Sequence, residues 1–92
     1  MENNQTFLLT ITGIVQGVGM RYFIYHSAKN YGVRGYVRNK SDGSVECVVQ
    51  GKEDTLNRFI GYIKRASTGD IDHIDKEDMK DTKRYPGFEI TF

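Results

Sequence analysis

Ninety-two residues, 38% hydrophobic and 27% charged with a formal net charge of +1, imply one globular domain over 1–92 with a modest core. That balance gives no global attraction to nucleic acid or an anionic membrane, and a single cysteine excludes an internal disulfide. No apolar run approaches transmembrane length, and the opening "MENNQTFLLT" lacks the basic start of a signal peptide, so the expectation is a cytoplasmic, monomeric protein.

"TFLLTIT" (6–12) alternates Phe7, Leu9 and Ile11 against Leu8, Thr10 and Thr12, the pattern of a strand with one apolar face. Its end runs into "GIVQGVGMR" (13–21). Apolar residues then fall at 20, 23, 24, 28 and 31, a helical spacing, with Gly32 placed for a left-handed C-cap. "VRGYVRN" (33–39) and "VECVVQ" (45–50) read as strands joined by an Asp42-Gly43 hairpin turn, with Gly51 ending the second. Leu56, Phe59, Ile60 and Ile63 mark a second amphipathic helix with Glu53 and Asp54 near its positive end. A fourth strand is expected near Ile71 to Met79, then a loop closing in the Pro86-Gly87 turn, then a final strand "FEITF" (88–92). The order β-α-β-β-α-β is the split βαβ, ferredoxin-like α+β plan: an antiparallel sheet with two helices on one face. That plan hosts many unrelated functions.

The glycine stretch carries the chemistry. A strand-to-helix junction exposes the first N–H groups of the helix, unpaired and partially positive. Glycines at 13, 17 and 19 let such a loop curl until successive N–H groups face one spot, a nest for an anion. Arg21 adds a planar fork of donors matched to phosphate oxygens. Spacing alone is equally compatible with a plain tight turn. Nucleotide motifs fail: Tyr22 occupies the last glycine position of G-x-G-x-x-G, and Glu46 stands where a G-x-x-x-x-G-K-[ST] loop before Gly51-Lys52 needs glycine.

Taken together, "GIVQGVGMR" and "GYVRNKSDGSV" resemble acylphosphatases, whose signature is G-x-V-Q-G-V-x-F-R followed by G-x-V-x-N-x-x-D-G. The matching residues are Gly13, Val15, Gln16, Gly17, Val18 and Arg21, then Gly35, Val37, Asn39, Asp42 and Gly43. The likeness spans nearly the whole chain. It implies a metal-free hydrolase, without cofactor, that cleaves acyl phosphates to a carboxylate and inorganic phosphate. It also implies that the amides from Gln16 through Gly17, Val18 and Gly19 to Met20, with Arg21, bind the phosphate, and that Asn39 orients the attacking water. Three departures stand out: Met20 replaces phenylalanine, Ile14 replaces a frequently basic or polar residue, and "TGDID" lacks a frequent Gly-Pro. Methionine is a flexible apolar substitute.

The reaction suits so few side chains. A carboxylate with a parent-acid pKa of about 4 leaves without a general acid, and phosphoryl transfer depends mostly on positioning and charge stabilisation. Arg34, Arg38 and Lys40 are expected to add positive potential around the entrance. His26 and His73 lack a ligand cluster and read as structural. Cys47, among Val45, Val48 and Val49, reads as buried, and the acidic run from Asp70 to Asp81 lacks the EF-hand pattern.

Two rivals share the plan. A nucleic-acid-binding domain would present aromatics on its middle strands, where only Tyr36 stands. A regulatory or metal-carrying module would need an attached domain or paired cysteines. The reading is therefore an enzyme acting on a small acyl phosphate, inhibited by product phosphate, with no nucleic-acid or membrane partner.

Overall fold

The computed structural model describes residues 4–80 and 83–92. Period-two alternation in three neighbouring strands decides the layering. In β1 (Asn4–Ile14), Phe7, Leu9 and Ile11 are buried. They stand in register with Val49, Cys47 and Val45 of β3 (Val45–Lys52), and Cys47 in turn opposes Val37 of β2 (Arg34–Asn39). This apolar face receives α1 (Met20–Tyr31), packed on β2, and α2 (Glu53–Ala66), packed on β3 and on α1. Met20, Ile24 and Ala28 of α1 meet Leu56, Phe59, Ile60 and Ile63 of α2 in one core. Ser27, also buried, returns its hydroxyl to the Phe23 carbonyl at 2.7 Å. Gly32 closes α1 with φ 73°, as its position in the sequence predicts.

β4 (Asp70–Asp78) pairs antiparallel with β1, and β5 (Phe88–Ile90) completes a five-stranded sheet of order β4-β1-β3-β2-β5. The ferredoxin-like plan is present. One detail differs from the sequence expectation: β5 lies parallel to β2, so the sheet is mixed rather than antiparallel. The cause is topological. β4 runs along one edge, and the chain must reverse and cross to the opposite edge, entering β5 in the direction of β2. The third strand also runs two residues past Gln50, through Gly51 to Lys52, and the last ends at Ile90 rather than Phe92.

The crossing segment lies over the face that carries no helix. Gln50, buried on β3, is its bolt: Nε2 donates to the Lys83 carbonyl at 2.9 Å and to Thr6 Oγ1 at 3.1 Å, while Oε1 accepts the Tyr85 N–H at 3.0 Å. Further along that face, Glu46 accepts from the Tyr36 hydroxyl at 2.8 Å and from Arg38 Nε at 3.0 Å. Arg38 holds the Glu46 carboxyl below the usual carboxylate range, and burial, followed by Glu46, pushes the Tyr36 phenol up to about 12. Among the described residues, no helix is long and apolar enough to cross a membrane.

Two outcomes follow from this face. Gln50→Leu leaves the Lys83 carbonyl and the Tyr85 N–H without their partner, a loss of about 1–3 kcal/mol; urea denaturation should show it, and unchanged stability would mean the bolt is dispensable. Glu46 binds its proton less tightly folded than unfolded. Its contribution is therefore complete above about pH 4.3 and lost as pH falls through the lowered value. Melting temperature should drop between about pH 5 and pH 3, and drop less in Glu46→Gln. Equal drops would remove Glu46 from the acid response.

Candidate active site

β1 and β2 are not neighbours; β3 lies between them. Because α1 packs on β2 and β5, the chain leaving Ile14 must pass over the end of β3 before the helix starts. Residues 15–19 make that passage. Gly17 and Gly19 have φ of 75° and 80°, and no other residue type in the described chain has positive φ. Alternating left-handed glycines with ordinary neighbours turns successive N–H groups toward one concave side. A side chain at either glycine would be strained there.

Among the described residues, nothing uses those donors. Among the described residues, no backbone N–H from Gly17 to Tyr22 donates to a backbone carbonyl or a side chain. Helix α1 has no side-chain N-cap and no acidic residue in its first turn, so its partial positive end is uncompensated. Arg21 likewise has no carboxylate partner among the described residues. Its guanidinium lies 5.3 Å from the ring centre of Phe92, a cation–π contact that orients the fork without neutralising it.

Gln16 clips this loop to the β2–β3 hairpin. Its Nε2 donates to the Lys40 carbonyl at 2.7 Å and to the Ser44 carbonyl at 2.8 Å. The hairpin is itself braced: Asp42 accepts from the Ser44 N–H at 2.9 Å and from its hydroxyl at 2.6 Å, which holds the Asp42 carboxyl below its ordinary value. Asn39, the last residue of β2, is thereby set beside the loop. A cleft of about 170 Å³ is lined by Val15, Gly17, Gly19, Met20, Arg21, Tyr22 and Asn39. At about 30 Å³ per water, that is room for a small tetrahedral anion and a water. Into this setting Asn39 brings an Oδ1 atom that is buried and has no hydrogen-bond partner. Such an atom costs about 1–3 kcal/mol unless a donor reaches it.

The sequence profile of the Acylphosphatase family matches residues 7–90. The chain belongs to the acylphosphatase family. A protein named acylphosphatase from Lactobacillus gasseri is 37% identical over 90 residues, covering 96% of this chain and 99% of its own. One from Picrophilus torridus is 42% identical over 81 residues, covering 87% and 94%. The crystal structure of acylphosphatase from Bacillus subtilis superposes with a TM-score of 0.90 at 29% identity, covering 96% of this chain and 99% of that one. The chain is thus an enzyme of the acylphosphatase family.

Of the residues expected at the site, the cleft brings together Gly17, Gly19, Met20, Arg21 and Asn39. Gln16 and Val18 do not line it: both amide hydrogens of the Gln16 side chain are committed to the hairpin, and Val18 packs against the core. Arg34 and Arg38 are not at the entrance. Strand alternation sends them to the opposite face of the sheet from Asn39, and Arg38 pairs there with Glu46. Tyr22 and Val15 line the cleft without having been assigned to it, although Val15 belongs to the first motif; Tyr22 is an aromatic in the first helical turn that remains 64% exposed. His26 and His73 are exposed and outside the cleft, and the buried Cys47 thiol is pushed up by desolvation. Among the described residues, no three His, Cys, Asp or Glu side chains gather as a ligand set.

Gly69 shows why the α2–β4 connection works without a Gly-Pro pair. A Cβ there would run into the Ile14 carbonyl and press on Val18 and Met20, so this connection packs directly against the loop. Gly69→Ala should cost about 1–3 kcal/mol by overpacking and displace the loop, weakening phosphate affinity alongside the fall in melting temperature. Full phosphate affinity in the variant would show that the loop does not depend on this contact.

Proposed function

We propose that this enzyme hydrolyses acyl phosphates to a carboxylate and inorganic phosphate without a metal or cofactor. One observation carries the reading: the unused amides of the glycine loop, the uncompensated Arg21 and the unpartnered Asn39 oxygen meet in one small cleft.

The loop amides and Arg21 suit the phosphoryl oxygens, where charge must be balanced as the phosphorus passes between oxygens. Preorganised donors act there without reorganisation, as in an oxyanion hole. Asn39 accepts one hydrogen bond from a water through Oδ1 and aims its lone pair at phosphorus. A P–O bond forms to that water while the P–O bond to the acyl oxygen breaks, and the bonding pair leaves with the carboxylate. One water proton passes to the phosphate, so a dianionic substrate yields a carboxylate and a dihydrogen phosphate. The leaving carboxylate, with a parent-acid pKa of about 4, needs no proton donor, and the attacking water needs no strong base.

The same donors hold product phosphate, so inorganic phosphate is a competitive inhibitor. The cleft is too small for a nucleic acid, and the enzyme acts as a cytoplasmic monomer on a small substrate.

Benzoyl phosphate hydrolysis in excess EDTA tests the proposal. Turnover should persist; loss on chelation with recovery on adding metal would overturn the metal-free mechanism. Arg21→Ala should lose about 10²–10³-fold in kcat/KM along with phosphate inhibition. Asn39→Ala should lose about 10²-fold in kcat and keep its phosphate inhibition constant. A near-normal kcat in Asn39→Ala would remove this residue from water positioning.

A further inference from the structure

The face of the sheet opposite the helices carries a second constellation. Two hollows, about 460 and 180 Å³, flank the segment bolted by Gln50 and share Lys83 and Arg84 in their walls. The smaller is polar and basic, completed by Arg34, Asn4, Thr6 and Gln50. The larger is walled by Tyr36, Tyr85 and Pro86 and also holds Arg38 and Glu89.

Charge separates the two. Arg38 is spent on Glu46 at 3.0 Å, and Glu89 offsets part of what remains in the larger hollow. In the smaller, Arg34, Lys83 and Arg84 have no carboxylate partner among the described residues. Arg34 Nε is buried and has no hydrogen-bond acceptor, an orphan donor that points to a missing anionic or polar group. The Lys83 ammonium lies 5.3 Å from the ring centre of Tyr85, linking the basic end to the aromatic one. The larger hollow falls within the roughly 300–1,000 Å³ of small-molecule sites, which the catalytic cleft does not reach.

We propose that these hollows form a binding site for a small anion bearing a planar ring and two or more negative charges, of the nucleoside diphosphate type. Its phosphates sit on Arg34, Lys83 and Arg84, and its ring lies against Tyr36, Tyr85 and Pro86. Three cations match a multiply charged phosphate group better than a single carboxylate. The bolted segment crosses the middle of the face, which suits a compact ligand and obstructs a continuous nucleic-acid strand. The site lies across the sheet from Asn39 and at the other end of its strand, since Arg34 begins β2 and Asn39 ends it.

Titration of isotope-labelled protein with ADP, followed by amide NMR in saturating inorganic phosphate, tests this. ADP should move the Tyr36, Gln50, Lys83 and Tyr85 signals and leave Gly17 to Arg21 unmoved. Arg84→Gln, an exposed change, and Arg34→Gln should each weaken ADP binding about tenfold while benzoyl phosphate turnover stays unchanged. Tripolyphosphate, which has charge without a ring, should bind more weakly than ADP. Shifts confined to the glycine loop, unchanged ADP affinity in both variants, or equal affinity for tripolyphosphate would overturn the proposal. So would tighter binding of single-stranded RNA than of ADP.

Discussion

The two hydrogen bonds from the Gln16 carboxamide to the carbonyls of Lys40 and Ser44 hold together parts of the chain that the sheet keeps apart. With β3 between β1 and β2, a loop leaving β1 has no backbone ladder to fix it over the end of β2. The Gln16 side chain supplies that fixing, on a hairpin braced by Asp42. The glycines can then spend their conformational freedom on aiming amides rather than on reaching a partner. Geometry of this kind is useful only if rigid, because misplacement by about an ångström costs orders of magnitude in rate. Rigidity comes from below as well: Gly69 brings the α2–β4 connection against the same loop, and buried Met20 anchors the first turn of α1.

Strand alternation then divides the chemistry of β2 between two faces. Val37 and Asn39 turn toward the helices, one into the core and one to the cleft beside the glycine loop, while Arg34, Tyr36 and Arg38 turn away. A single six-residue strand thus carries the amide proposed to position water on one side and a basic, aromatic surface on the other. The crossing segment before β5 gives the second face its depth, and it stays in place because Gln50 bonds it as donor and acceptor at once. Without that segment Tyr36 and Arg34 would sit on an open sheet rather than beside hollows.

Much of this was legible in the residues. The spacing of 20, 24 and 28 marks α1 to its observed ends, because helix periodicity and the Gly32 cap act locally. β4 falls one residue from its expected place, and the two motifs locate the loop and Asn39. What sequence could not supply is long-range. The parallel pairing of β5 follows from which edge β4 occupies, a fact no local pattern encodes. The role of the Gln16 side chain depends on hairpin carbonyls 24 and 28 residues away. Arg34 and Arg38 were expected near the entrance, yet counting by twos from Asn39 places Arg38 on the other face; the information was present in the alternation. Ser27 and Gln50 are buried polar residues whose partners are main-chain groups and, for Gln50, also the distant Thr6 hydroxyl, so composition gives no sign of them.

The proposed hydrolysis requires main-chain amides between Gly17 and Arg21 to share one tetrahedral oxyanion. A crystal structure with inorganic phosphate bound tests it directly. The phosphate should lie in the cleft with several loop N–H groups and the Arg21 guanidinium within hydrogen-bond distance, and with a water between it and Asn39 Oδ1. Phosphate bound elsewhere, or held by side chains while those amides face away, would contradict it.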